Sequence, residues 1–239
     1  MNAMINPQNV KSLLRATGRG LYQAFRKGLV LAFVGTLTLF NLSGLSEGRR
    51  LESLAYLAAK TEARNRISTF VNHKNPRTPA AEKKLLVETI LRESERLRIP
   101  ANFTIDGAPV HPAYFLTALI AVESTFQREA VSYADARGYM QLMPQTVAWM
   151  DHKLRNGHTT DVEHLFETPT NIARGVTYLN FLIEQMGDIR LVCLAYNAGP
   201  GAVSRGFWVE RYWEKIYSNY REIERGEFLA EQVFIAAVF

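Results

Sequence analysis

The chain has 239 residues, 47% of them hydrophobic and 21% charged, which is enough apolar material for one sizeable core and too much for a disordered polymer. Its formal charge of +5 does not mark a nucleic-acid binder, because the excess is confined to the amino terminus. Residues 1–46 carry Lys11, Arg15, Arg19, Arg26 and Lys27 and no acid; without those five the chain has 23 bases against 23 acids. No nucleic-acid partner is expected.

The basic segment is followed by the uncharged run "LVLAFVGTLTLFNLSGL", Leu29 to Leu45, with Gly44 and Ser46 near its end. Basic flank, apolar run and small residues come in the order of a secretory signal, with the positive side left in the cytoplasm. Residues 1–46 are therefore expected to be a signal peptide or an amino-terminal membrane anchor. The run approaches the roughly 17 residues that just span a bilayer, so both readings stand. Everything after it is expected to be exported, to the periplasm or cell envelope. Cys193 is the single cysteine, so no disulfide closes within the chain, and in "LVCLAYN" it reads as a small core residue.

In chain order, Glu47 to Val71 reads as a charged helix with a narrow stripe of Leu51, Leu54, Leu57 and Ala58. The stretch "NHKNPRTP" follows as a linker, so residues 47–80 form a helical extension and linker. Leu86, Ile90 and Leu97 predict a helix over Ala81 to Arg98, stopped by Pro100. A loop, with a short extended piece at Phe103 to Ile105, leads to His111-Pro112, which opens the next helix. "REAVSYADARG" is turn-like, "YMQLMPQTVAWM" starts a helix, and "RNGHTTDVEHLFETP" is a loop. Ile172, Val176, Leu179, Phe181 and Ile183 predict a helix capped by Gly187; a helix over Ile189 to Asn197 follows. "AGPGAV" breaks the pattern, and an aromatic-rich helix around "ERYWEKIYSNY" closes it. No convincing strand alternation appears. The expected fold class is all-α: one helical domain over residues 81–220 and a tail over 221–239.

The helix opened by Pro112 contains "ALIAVESTF", an apolar run with one acid. Glu123 lies one turn beyond Leu119 and two beyond Leu116, with Ile120 three residues back. Ionising a carboxylate in such a surround is costly, so its pKa is expected to rise toward the range where an acid can protonate a leaving oxygen at neutral pH. Glu123-Ser124, "GYMQLMP" at Gly138 to Pro144 and "AYNAGPG" at Ala195 to Gly201 then stand in one order along the chain. On these stretches residues 81–220 resemble the lytic transglycosylases of the goose-lysozyme-like superfamily. Tyr139 departs from that pattern where leucine is usual, as do Asp135 and the stretch "FWVERYWEK".

The resemblance implies a lysozyme-like helical fold and a one-carboxylate mechanism. In it, Glu123 protonates the leaving glycosidic oxygen and then takes a proton from the C6 hydroxyl of the muramic acid ring, which closes on C1. The residues agree, since Glu129, Asp135, Asp161, Glu163 and Glu167 lie in polar segments and nothing singles out a second carboxylate. Tyr196 is the candidate hydrogen-bond partner of Glu123. Asn197 and Gln141 carry amides suited to N-acetyl sugars, Ser124 would fix the next helical turn, and Met140 would line the groove floor. Gly199 and Gly201 would let backbone approach substrate. His152, His158 and His164 recur every six residues, a spacing that matches no single face, so no metal site is expected, nor any cofactor. Trp208, Tyr212, Trp213, Tyr217 and Tyr220 read as core aromatics.

The leading expectation is an exported peptidoglycan lytic transglycosylase whose partners are glycan strands and, if the amino-terminal segment is retained, the membrane. A lysozyme-like hydrolase is the near alternative. A non-catalytic wall-binding or scaffold module of an envelope-spanning machine, suggested by the helical extension, is the distant one.

Overall fold

A computed structural model of the chain describes residues 47–153 and 161–226, with the side chains of residues 47–51 left aside. The expected signal or anchor at 1–46, His158 and residues 227–239 of the tail fall outside them. The chain divides into two compact units, Met1–Glu62 with Gly226–Phe239, and Ala63–Arg225. In the first, the described residues from Glu47 to Glu62 are helical, and Tyr56 and Leu57 on that helix are exposed. No helix among the described residues is long and apolar enough to cross a membrane.

The second unit is all-α apart from one hairpin. Its elements are the end of α1 (Glu47–Lys74), α2 (Ala80–Ser94), strands β1 (Thr104–Ile105) and β2 (Ala108–Pro109), α3 (Pro112–Ser124), and α4 (Pro144–Lys153). A 3-10 turn (Val162–Phe166), α5 (Thr168–Gln185), α6 (Ile189–Ala198), α7 (Pro200–Ser204) and α8 (Glu210–Arg225) complete it. β1 and β2 pair antiparallel, Thr104 with Pro109 and Ile105 with Ala108, around Asp106 and Gly107, both at positive φ.

α3 is the central helix. Phe115, Leu116, Ala118, Leu119 and Ile120 are all fully buried, so it is apolar nearly all round, as a helix enclosed by others must be. Its amino terminus is set by Pro112 in the first turn and by His111, whose Nδ1 accepts from the Tyr114 N–H at 3.4 Å. α8 lies along it with a buried stripe of Tyr212, Ile216, Tyr220 and Ile223. The Tyr220 hydroxyl accepts from the His111 N–H at 3.0 Å at the start of α3, and Tyr212 reaches Glu123 at its end, so the two helices run antiparallel.

Some element boundaries differ from expectation for local reasons. The stretch "NHKNPRTP" is the last residues of α1 followed by a turn inside the compact unit: Ile67, Phe70 and Val71 of α1 are buried, and Phe70 meets Phe126 edge-on at 6.0 Å. The domain therefore begins within α1. α2 stops at Ser94, whose hydroxyl bonds the Leu91 carbonyl at 2.9 Å, and does not run on to Arg98. "YMQLM" is a tight loop and α4 starts at Pro144, because Gly138 and Gln141 both take positive φ. α5 ends at Gln185 with Met186 extended, so Gly187 is not its left-handed cap. "AGPGAV" runs into the short helix α7, and "DVEHLFETP" contains the 3-10 turn.

Candidate active site

Glu123 sits on the last turn of α3. The helix ends there because Thr125 and Phe126 both take left-handed φ, 50° and 57°, and Phe126 is buried while Thr125 is exposed. Glu123 is half-buried, and its Oε1 accepts a hydrogen bond from the Tyr212 hydroxyl. Burial raises its pKa from 4.5 to about 7, while the Tyr212 bond, which favours the charged form, pulls the other way. Its place at the negative end of the α3 dipole also disfavours the anion. The result is a carboxyl that both gives and takes a proton near neutrality.

The partner expected for Glu123 was Tyr196, and here the structure corrects the sequence. The Tyr196 hydroxyl donates to the Met140 carbonyl at 2.8 Å; Tyr212 is the residue that reaches the acid. Tyr196 remains close enough for Glu123 to bear on its own ionisation, which burial pushes well above the usual phenol range. Tyr212 was read as core because its partner is 89 residues away in sequence and it heads a stripe at helical spacing. The available signal was its position as the first buried residue of α8, the end that meets the carboxyl terminus of an antiparallel α3.

The loop from Arg137 to Leu142 is held by Asn171, a buried residue of α5 that no sequence motif singles out. Its Oδ1 accepts from the Met140 N–H at 2.8 Å, and its Nδ2 donates to the carbonyls of Leu165 at 2.7 Å and Arg137 at 3.0 Å. Gly138 (φ 73°) lies so close that a Cβ there would come within 2.4 Å of both Asn171 Nδ2 and Leu165 O. Tyr139, at the departure from leucine, donates to Glu82 Oε1 at 2.8 Å, which also accepts from Thr168 at 2.6 Å. Gln141 spends both amide hydrogens on the carbonyls of Ala130 and Gly138, each at 3.0 Å.

Two further expectations are corrected. Met140 does not line a groove floor: its side chain is fully buried against Gly175 and supports the loop from beneath. Ser124 is buried and its hydroxyl turns back to the Ile120 carbonyl at 3.3 Å, so it neither fixes a following turn nor faces a substrate. Asn197 is exposed on the last turn of α6, one residue beyond Tyr196, and Gly199 at φ 82° ends that helix.

The other carboxylates are engaged elsewhere. Glu129 pairs with Arg128, Asp135 and Glu163 share Arg137, Asp161 caps the 3-10 turn, and Glu167 accepts from Thr170. Cys193 is fully buried beneath the site. Among the described residues no three His, Cys, Asp or Glu side chains converge as metal ligands.

The family model of the transglycosylase SLT domain matches residues 104–219, a span that contains Glu123, the 138–144 loop, Tyr196 and Tyr212. The match covers just under half of the chain. The membrane-bound lytic murein transglycosylase C of Mannheimia succiniciproducens is 32% identical over 168 residues, which cover 66% of this chain and 42% of the relative. The soluble lytic murein transglycosylase of Escherichia coli is 32% identical over 93 residues, 38% of this chain and 14% of that protein. The chain thus spans less than half the length of these curated relatives. Among solved structures, the 70 kDa soluble lytic transglycosylase of Escherichia coli aligns at 22% identity and a TM-score of 0.41, covering 62% of this chain and 24% of that one. α3 and most of α8, the helices that bring Glu123 and Tyr212 together, fall within the matched span.

Proposed function

We propose that the protein is a peptidoglycan lytic transglycosylase that cleaves the β-1,4 bond between N-acetylmuramic acid and N-acetylglucosamine, with Glu123 as the only acid and base. The observation that carries this is a half-buried carboxyl with a pKa of about 7, hydrogen-bonded by Tyr212, while among the described residues Glu129, Asp135, Asp161, Glu163 and Glu167 are engaged elsewhere. The match to the SLT domain model and the names of the relatives support the same substrate class.

Protonated Glu123 gives its proton to the glycosidic oxygen as the bond from C1 of the muramic acid breaks. The resulting carboxylate, held by Tyr212, takes the proton of the C6 hydroxyl while that oxygen bonds to C1. Glu123 ends protonated, the products are a 1,6-anhydro-muramyl end and a free 4-hydroxyl, and no water is consumed. The Gln141 side-chain oxygen and the exposed amide of Asn197 are assigned to the acetamido groups of the sugars. The assigned setting is the periplasm or cell envelope, with residues 1–46 as signal or anchor and an envelope machine as a partner.

Incubating purified sacculi with the chain and with its Glu123→Gln variant tests the reading. The wild type releases soluble muropeptides, and the variant, folded but without an ionisable group, releases about a hundredfold less or none. Undiminished release by the variant would contradict it.

A further inference from the structure

Between α7 and α8 the fold leaves a short apolar tip outside the core. Gly206, at φ 83°, turns the chain after α7, its N–H donating to the Val203 carbonyl at 2.9 Å and the Phe207 N–H to the Ala202 carbonyl at 3.0 Å. Phe207, Trp208 and Val209 follow, 67%, 39% and 60% exposed, and no other three consecutive large apolar residues are exposed among the described residues. Trp208, read from the sequence as a core aromatic, turns back onto the body: its Nε1 donates to Glu210 Oε2 at 3.1 Å, and the Arg190 guanidinium lies 5.8 Å from its ring centre. Arg190 in turn holds Glu210, through Nε at 2.7 Å. The Tyr212 N–H donates to the Val209 carbonyl at 3.1 Å, so the tip is fixed at both ends with Phe207 and Val209 outward.

The charges around the tip indicate what it meets. Arg205 and Arg211 frame it, both exposed, and neither pairs with a carboxylate of the described residues. The one acid of the tip, Glu210, is neutralised by Arg190. Outward apolar side chains between two unpaired cations match a surface that is anionic on top and apolar beneath, which is the section through a bilayer leaflet with acidic headgroups. A sugar ring stacks on a flat aromatic face, and here the indole is engaged and half of the outward pair is a valine. Both readings of residues 1–46, signal or anchor, bring the chain to such a membrane.

We propose that residues 205–211 dock on an anionic lipid surface, with Phe207 and Val209 entering the acyl boundary and Arg205 and Arg211 pairing with headgroup phosphates. Docking itself stands apart from the peptidoglycan reading. Joined to that reading, it sets where the acid works: Val209 is three residues from Tyr212, within about 11 Å along the chain. Tyr212 bonds Glu123, so cleavage falls on strands beside the membrane.

The test uses the full chain with Val209→Cys carrying a polarity-sensitive NBD dye; Cys193, fully buried, stays unlabelled. The same dye on Leu85→Cys, exposed on α2, is the reference, because the amino-terminal segment can tether both proteins to a vesicle. On vesicles of phosphatidylglycerol and phosphatidylcholine the dye on the tip brightens several-fold and shifts to the blue, and the dye on α2 does not. Vesicles of phosphatidylcholine alone, or Arg205→Gln with Arg211→Gln, reduce the response of the tip several-fold, as the loss of two cations from an anionic surface requires. No change on the tip, or an equal change on α2, would overturn the docking, as would a response undiminished on phosphatidylcholine alone. Brightening on purified sacculi and not on vesicles would overturn it too and give the tip to the glycan. The dye needs no turnover, so failure of the catalytic reading is seen separately, as absence of soluble products from the wild-type chain.

Discussion

Burial keeps the Glu123 carboxyl protonated to about pH 7, and its place at the negative end of the α3 dipole acts in the same sense. This has a measurable cost. Between its ordinary 4.5 and its folded value of about 7, the folded chain binds more protons than the unfolded one, so stability falls as pH rises through that window. The cost is absent below the window and complete above it. Discounted for partial exposure, it is on the order of 2 kcal/mol. Glu123→Gln should therefore melt with the wild type at pH 4 and about 5 °C above it at pH 8, read by thermal unfolding. Tyr212→Phe removes a bond that favours the carboxylate and should push the acid's pKa up by about one unit. The alkaline limb of kcat/KM against pH, which follows loss of the proton from Glu123, should move up by the same amount. Glu123 was legible in the sequence because one acid in an aliphatic run is a local pattern. Tyr212 was not, because a hydrogen bond between antiparallel helices leaves no local trace; Tyr196, marked by its motif, is near the acid but is bound to Met140.

The loop between Arg137 and Leu142 shows how an element escapes a reading by periodicity. Tyr139, Met140 and Leu142 are apolar enough to resemble a helical face, yet Gly138 and Gln141 both take left-handed φ, and the loop is fixed by a residue of α5. Gly138→Ala sets a methyl against Asn171 and the Leu165 carbonyl and strains φ at once. It should cost about 3 kcal/mol or more in urea unfolding and lower activity through the displaced loop. The helices themselves were legible. The apolar spacing of α5 and α8 and the proline at the start of α3 place them to within a few residues, and their ends shift where a side chain such as Ser94 competes for backbone.

Across the whole molecule, the proline- and asparagine-rich turn after α1 looks like an interdomain linker in composition, but only contacts distant in sequence decide what a turn joins. Phe70 against Phe126 and Arg66 bonding the carbonyls of Ile223 and Glu224 bind the end of α1 into the Ala63–Arg225 unit. A fragment of residues 63–225 should accordingly unfold cooperatively. One of residues 81–225 loses the buried Ile67, Phe70 and Val71, at about 1.5–3 kcal/mol each, and should be largely unfolded at 37 °C by circular dichroism. The central claim is that a single carboxyl closes the muramic acid ring on itself. Mass spectrometry of the soluble products from purified sacculi tests it most directly: muropeptides about 18 Da lighter than hydrolysed ones are predicted, because C6 oxygen takes the place of water. Full-mass reducing ends would contradict it and require a second carboxylate.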